Sequence, residues 1–172
     1  MKKALNFIFL LALTACSDGD LQIEVIDFDS VSIQDCGDIT SSKANLLFKI
    51  NTNEALILEL ESGTLNNGNS KTDTVTTVSE LPGNSRLIYR IFSASVTNNY
   101  FCDDIPPSTP TVIEEIEAAD GSVLIKSIAN ADSTAFSHTI QLSGISFVNA
   151  AGERITDLTI NDFGEISTPI SN

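Results

Sequence analysis

The sequence predicts an all-β protein, an antiparallel β-sandwich of immunoglobulin-like or related kind. From residue 21 onward apolar residues recur mainly at every second position, with little at helical spacing. Gly, Pro, Asn and Asp divide this region into about eight to ten short segments, the rhythm of a sandwich. Several of those segments are rich in Val, Ile and Thr, which suit a pleated, half-buried surface. A closed lipocalin-like β-barrel is the alternative with the same pattern.

Taken in order, Leu21, Ile23 and Val25 alternate with Gln22 and Glu24, and Val31 and Ile33 follow before Cys36 and Gly37 turn the chain. Leu46, Phe48 and Ile50 alternate with Asn45 and Lys49. Asn51-Thr52-Asn53-Glu54 reads as a hairpin turn into Leu56, Leu58 and Leu60. Val75 and Val78 lie among threonines, and Leu81-Pro82-Gly83-Asn84 reads as a turn. The segment from Arg86 to Val96 carries Leu87, Tyr89 and Ile91 on one face and Ile88, Phe92 and Val96 on the other. Apolar residues on both faces predict a central strand covered on both sides. After an irregular stretch from Thr97 to Pro110, Val112 to Ala118 resumes a strand. Ala119-Asp120-Gly121 is read as a hairpin into Val123 to Ile128. His138 to Val148 is extended, with Gly144 placed to form a bulge. Ile155 to Ile160 forms another segment, and Asn161 to Gly164 turns the chain once more.

The start of the chain is different. Lys2 and Lys3 precede Ala4 to Leu13, apolar except for Asn6, about half the length a bilayer-spanning helix needs. Leu13-Thr14-Ala15-Cys16 closes the run, giving the anatomy of a secretory leader. This ending resembles the lipobox of bacterial lipoproteins, a branched residue and two small residues before a cysteine. The resemblance covers residues 1–16 alone. It implies cleavage before Cys16, attachment of diacylglycerol to the Cys16 thiol and acylation of the new amino terminus. The expected organisation is a leader over 1–15, a lipidated cysteine with a short linker over 16–20, and one β domain over 21–172. Ser17 to Asp20 spans at most about 14 Å, which would hold the domain close to the membrane. Ser17 differs from the aspartate that retains many enteric lipoproteins at the inner membrane, so the outer membrane is the expected location. A serine before acidic residues looks like the surface-export signal of some Gram-negative lipoproteins, although Gly19 interrupts the run and a plain polar linker reads equally well. The periplasmic and surface faces both remain open.

Composition limits the partners. Formal net charge is −14, and losing Lys2 and Lys3 with the leader makes the remainder more acidic. Nucleic-acid phosphates call for a basic surface, so nucleic acid is not an expected partner. Electrostatic attachment to anionic lipid is disfavoured for the same reason. The expected membrane link is the lipid on Cys16, where several acyl chains make a stable anchor.

There are three cysteines. With Cys16 assigned to lipid, Cys36 and Cys102 remain, and in an exported chain such a pair is expected to form a disulfide. Closing so long a loop contributes roughly 4 kcal/mol in the chain-entropy model. Zinc and redox chemistry both lack a CxxC pair, and His138 is the sole histidine.

Catalytic candidates are sparse. His138 shares a strand face with Ile140 and Leu142, but neither a GxSxG elbow nor an HExxH run accompanies it. A hydrolase centred on His138 therefore requires a serine and a carboxylate brought together by the fold. Glu115 and Glu117 would lie roughly 7 Å apart on one strand face, within the range of inverting glycosidases. The chain has no Trp and two Tyr, however, so sugar stacking is disfavoured. Asp27/Asp29, Asp35/Asp38 and Asp103/Asp104 are acidic pairs without the EF-hand pattern, and structural calcium stays an unsupported option.

The expected interaction loop contains Tyr100, Phe101, Asp103, Asp104 and Ile105, beside Pro106 and Pro107. The competing reading packs Phe101 and Ile105 beneath the loop, with the prolines only stiffening it. Together these features point to a lipid-anchored protein of the cell envelope, a structural or binding module with an envelope protein as partner. No enzymatic activity and no cofactor other than the covalent lipid are expected. A small apolar ligand carrier of lipocalin-like shape is the first alternative, and the His138 hydrolase the second.

Overall fold

The computed structural model describes residues 25–170, except 38, 69–71 and 156. The leader, Cys16, the linker and the Leu21–Ile23 start of the first segment lie outside the described residues. In chain order the elements are β1 (Val25–Asp27), β2 (Gln34–Asp35), β3 (Asn45–Asn51), β4 (Glu54–Leu60), β5 (Val75–Leu81) and β6 (Arg86–Phe92). They continue with α1 (Asn99–Cys102), β7 (Val112–Ala129), β8 (Ala135–Val148), β9 (Arg154–Ile155), β10 (Asp157–Thr159) and β11 (Asp162–Pro169).

The strands form a β-sandwich whose antiparallel sheets do not close. The lipocalin-like barrel is thereby set aside. One layer runs β2-β3-β4-β6 and ends on the first half of β7. The other contains β5, the second half of β7, β8 and β11, with β9 on the end of β8. A short parallel ladder joins β1 to β10.

β7 belongs to both layers, which the sequence reading missed. Asp120-Gly121 does not turn the chain into a hairpin; the strand continues for 18 residues. β6 pairs with residues 112–117 and β5 with 121–127, the two lying end to end along one side of β7. Register shifts against β8 at Ala118/Asp120 and Asp120/Ser122 bend the strand between layers. Gly121 has φ 127°, and a Cβ there would lie 2.9 Å from Ile145 Cα and 3.0 Å from the Ser143 carbonyl oxygen. The glycine thus serves a bulge and a close approach. Gly144, with φ 65°, sits opposite in the same irregular region, as its position in the pattern suggested.

The main core lies between the layers. Leu47, Leu56, Leu58, Leu87 and Tyr89 meet Val123, Ile125, Ile140, Leu142 and Phe163 there. A second cluster covers the outer face of the first layer, built from Phe48, Ala55, Ile57, Ile88, Phe92 and Val96. β6 therefore buries both faces with the assignment expected from its sequence. The first segment differs: Ile26 and Phe28 are fully buried while Val25 is 55% exposed. The apolar register there follows Ile26 and Phe28, opposite to the face expected for Val25.

Candidate functional site

The disulfide builds the first candidate region. Cys36 and Cys102 are bonded, with Cα atoms 5.3 Å apart. Cys36 follows the edge strand β2, and Cys102 ends α1, a single helical turn within the stretch expected to be irregular. That turn is pinned across the outer face of the first layer. Phe101 stacks on Phe48 at 4.4 Å between centroids, with planes 26° apart, and meets Phe92 edge-on at 6.2 Å. Tyr100 approaches Phe92 edge-on at 4.9 Å. Tyr100 and Phe101 are half-buried packing groups, whereas Ile105 is 86% exposed. The reading that packs Phe101 and Ile105 together beneath the loop holds for Phe101 only.

Asp103 and Asp104 are exposed in the same loop. The Asn99 side-chain amide donates to Asp103 Oδ2 at 3.3 Å, and Gly37 N–H donates to Asp35 Oδ1 at 2.6 Å. Asp38 lies outside the described residues. At the other acidic pair, Asp29 N–H donates to Asp27 Oδ1 and Asp162 N–H donates to Asp29 Oδ1. Asp27, Asp35 and Asp103 accept within their own turns, whereas Asp29 accepts from a residue far along the chain. Among the described residues no group of three or more His, Cys, Asp or Glu is gathered to hold a metal ion.

His138 is fully buried, on the face it shares with Ile140 and Leu142. Its Nδ1 lies 2.7 Å from the Ser127 hydroxyl and its Nε2 lies 2.8 Å from the Thr168 hydroxyl. Thr168 in turn donates to Asn67 Oδ1 at 3.3 Å. A neutral imidazole carrying its proton on Nε2 satisfies the chain: Ser127 donates to Nδ1, Nε2–H donates to Thr168, and Thr168 donates onward. Burial pushes the imidazole pKa down to about 4. A serine does converge on the ring, but the second nitrogen meets a hydroxyl where a hydrolase triad would place a carboxylate. Ser127 and Thr168 are also 1% exposed, so substrate has no approach to them. The arrangement clasps β7, β8 and β11 to the loop carrying Asn67.

Glu115 and Glu117 are committed to guanidiniums. Arg90 Nε donates to Glu115 at 2.8 Å, and Arg86 binds Glu117 through Nε at 2.9 Å and Nη2 at 2.8 Å. The hydrogen bonds from Arg86 hold the Glu117 carboxyl below its usual range. Glu117 is held as the carboxylate and both side chains are occupied by guanidiniums, so the glycosidase pairing is not formed.

Lys49 is a residue the sequence reading placed on a polar face. It is 2% exposed, because its neighbours Leu47 and Leu56 face the main core. Its Nζ donates to the carbonyls of Phe28 and Asp162, both at 2.7 Å, and lies 5.6 Å from the centroid of the Phe163 ring. Burial lowers the ammonium pKa against the opposing pull of Asp162, Asp29 and Asp27. The only sequence signal was Leu46-Leu47-Phe48, an unbroken apolar run that leaves the buried parity ambiguous. A recess of about 190 Å³ opens beside the disulfide, lined by Cys36, Ile39, Lys43, Ala44, Asn45 and Leu46.

No protein-family model matches this chain, and no curated protein or solved structure matches it either.

Proposed function

We propose that the chain is a lipid-anchored protein of the bacterial cell envelope, held at the outer membrane through Cys16, whose sandwich acts as a structural or binding module. The observation that carries this reading is the use of the cysteines. Cys36 and Cys102 bond to each other, which leaves Cys16 as the remaining thiol, at the end of the apolar leader. A bonded pair also suits an exported protein, since reducing compartments keep thiols free. Acidic balance supports attachment through lipid in preference to a basic protein face.

A binding or structural role without catalysis is supported by the candidate groups themselves. His138 is enclosed by hydroxyls, Glu115 and Glu117 are ion-paired, and Lys49 is occupied by carbonyls. The partner is then another envelope protein. Mass spectrometry of membrane-extracted protein tests the reading: the first peptide should begin at Cys16 and carry added acyl mass. Cys16→Ser should release the chain into the soluble fraction. An unmodified amino terminus at another residue would refute the anchor.

A further inference from the structure

Among the described residues the first half of β7 is an open sheet edge. Residues 112–117 pair with β6 on one side, while β8 joins the other side only from Ala118 onward. Among the described residues no strand pairs with the outer side of Val112–Ile116. The ladder also shows which main-chain groups face outward. Phe92 N–H donates to Asn53 on the β4 side, whereas Ser93 N–H donates to Thr111 on the β7 side. Alternation along β6 then turns Ile91 and Tyr89 toward β7, where they oppose Glu114 and Ile116. The N–H and C=O of Glu115 consequently point away from β6 toward the vacant side.

The side chains around this edge are unusual for an unprotected strand. Ile113, at the register shift, is 67% exposed and Val112 is 39% exposed. Ile105, in the loop leading to the same strand, is 86% exposed. Charge is the protection. Glu114, Glu115 and Glu117 lie on the strand itself, and Arg86 and Arg90 of β6 reach the last two from the β6 side alone. A second copy pairing antiparallel about Glu115 would set Glu115 opposite Glu115, and each copy has a formal charge of −14. Like charges directly opposite one another oppose pairing. The same carboxylates favour a strand of opposite sign.

We infer that Val112–Ile116 accepts an extended segment of a basic partner protein by β-strand addition, with apolar partner residues meeting Val112 and Ile113 and lysines or arginines meeting the glutamates. This deepens the binding-module reading and rests on it only for the existence of a partner. Hydrogen exchange on the full chain in a non-ionic detergent tests the site with three capped probes. These are a short peptide alternating valine and lysine, its valine–glutamate counterpart, and the lysine peptide with every backbone amide N-methylated. The lysine peptide should slow exchange across Val112–Ile116, most at the Glu115 amide. The glutamate peptide should bind at least about tenfold more weakly. The N-methylated form should give no slowing, and Glu115→Pro should abolish the effect of the lysine peptide. Should Glu115→Pro fail to fold, the N-methylated probe decides alone. Equal slowing by the methylated form, slowing elsewhere on the acidic surface, or none at all would overturn the proposal. Concentration-dependent slowing at this edge without peptide would overturn it in favour of a second copy. None of these outcomes depends on the mass of the Cys16 peptide, so the anchor is judged separately.

Discussion

Phe101 lies flat on Phe48, ring centroids 4.4 Å apart, immediately before the cysteine that bonds to Cys36. Stack and disulfide act on the same short turn. The covalent bond restricts where α1 can be, and the ring fills the outer face of the first layer. The two contributions can be separated by substitution.

Replacing Cys36 and Cys102 together with serine is expected to destabilise the protein by about 2–5 kcal/mol. Protease sensitivity should rise first between Tyr100 and Pro110, because the bond ties that segment to β2. Thermal unfolding followed by circular dichroism, with limited proteolysis beside it, reads both effects. An unchanged midpoint would mean that aromatic packing holds the turn unaided.

Phe101→Ala should cost about 2 kcal/mol, below the range for a fully enclosed phenylalanine because the ring is only half-buried. Ile105→Ser, at a position 86% exposed, should stay within about 0.5 kcal/mol of wild type. Urea unfolding midpoints distinguish the two. Equal losses would mean that Ile105 has a partner in solution.

His138 makes stability depend on pH. Its ordinary value of 6.5 applies to the unfolded chain, and burial depresses the folded value to about 4. The unfolded state therefore binds the proton more readily between those values. Stability from this group is fully present above pH 6.5, falls as the pH drops, and is lost below about pH 4. The total is on the order of 3 kcal/mol. His138→Gln should remove that part of the slope in urea titrations between pH 7 and 4. A slope unchanged by the substitution would show that carboxylates produce it.

Lys49 and Arg86 should respond very differently. Lys49→Ala opens space in the core and deprives the Phe28 and Asp162 carbonyls of their donor, for a loss of about 3 kcal/mol or more. Lys49→Met keeps most of the volume and should lose less. Arg86→Gln removes two ion pairs whose members are 39–45% exposed, and should cost no more than about 1 kcal/mol. Chemical denaturation of the variants ranks them. If Lys49→Met were as stable as wild type, the ammonium's hydrogen bonds would contribute nothing net.

Much of this protein was legible along the chain. Period-two alternation identified β structure, because side chains of a strand point alternately to opposite faces whatever surrounds them. The double apolar face of β6 was readable for the same reason. Counting cysteines identified Cys36 and Cys102 as the pair. Alternation and the double apolar face are local signals, carried by a few neighbouring residues, whereas the cysteine pair follows from parity over the whole sequence.

Relations between distant residues required the folded chain. Asp120-Gly121 has the composition of a hairpin turn, yet it became a bulge because β5 and β6 pair end to end along one uninterrupted β7. Lys49 looked exposed, yet it is buried because tertiary packing selected the Leu47 face of its strand for the main core. Ser127 and Thr168 each share an apolar face with Ile125 and Ile166, but nothing along the chain says that both hydroxyls meet one imidazole. The open edge at Val112–Ile116 is likewise defined by which strands pair beside it. Alternation is set by backbone geometry within one strand, whereas pairing and burial depend on contacts between residues far apart in sequence, and these exist only once the layers have closed on each other.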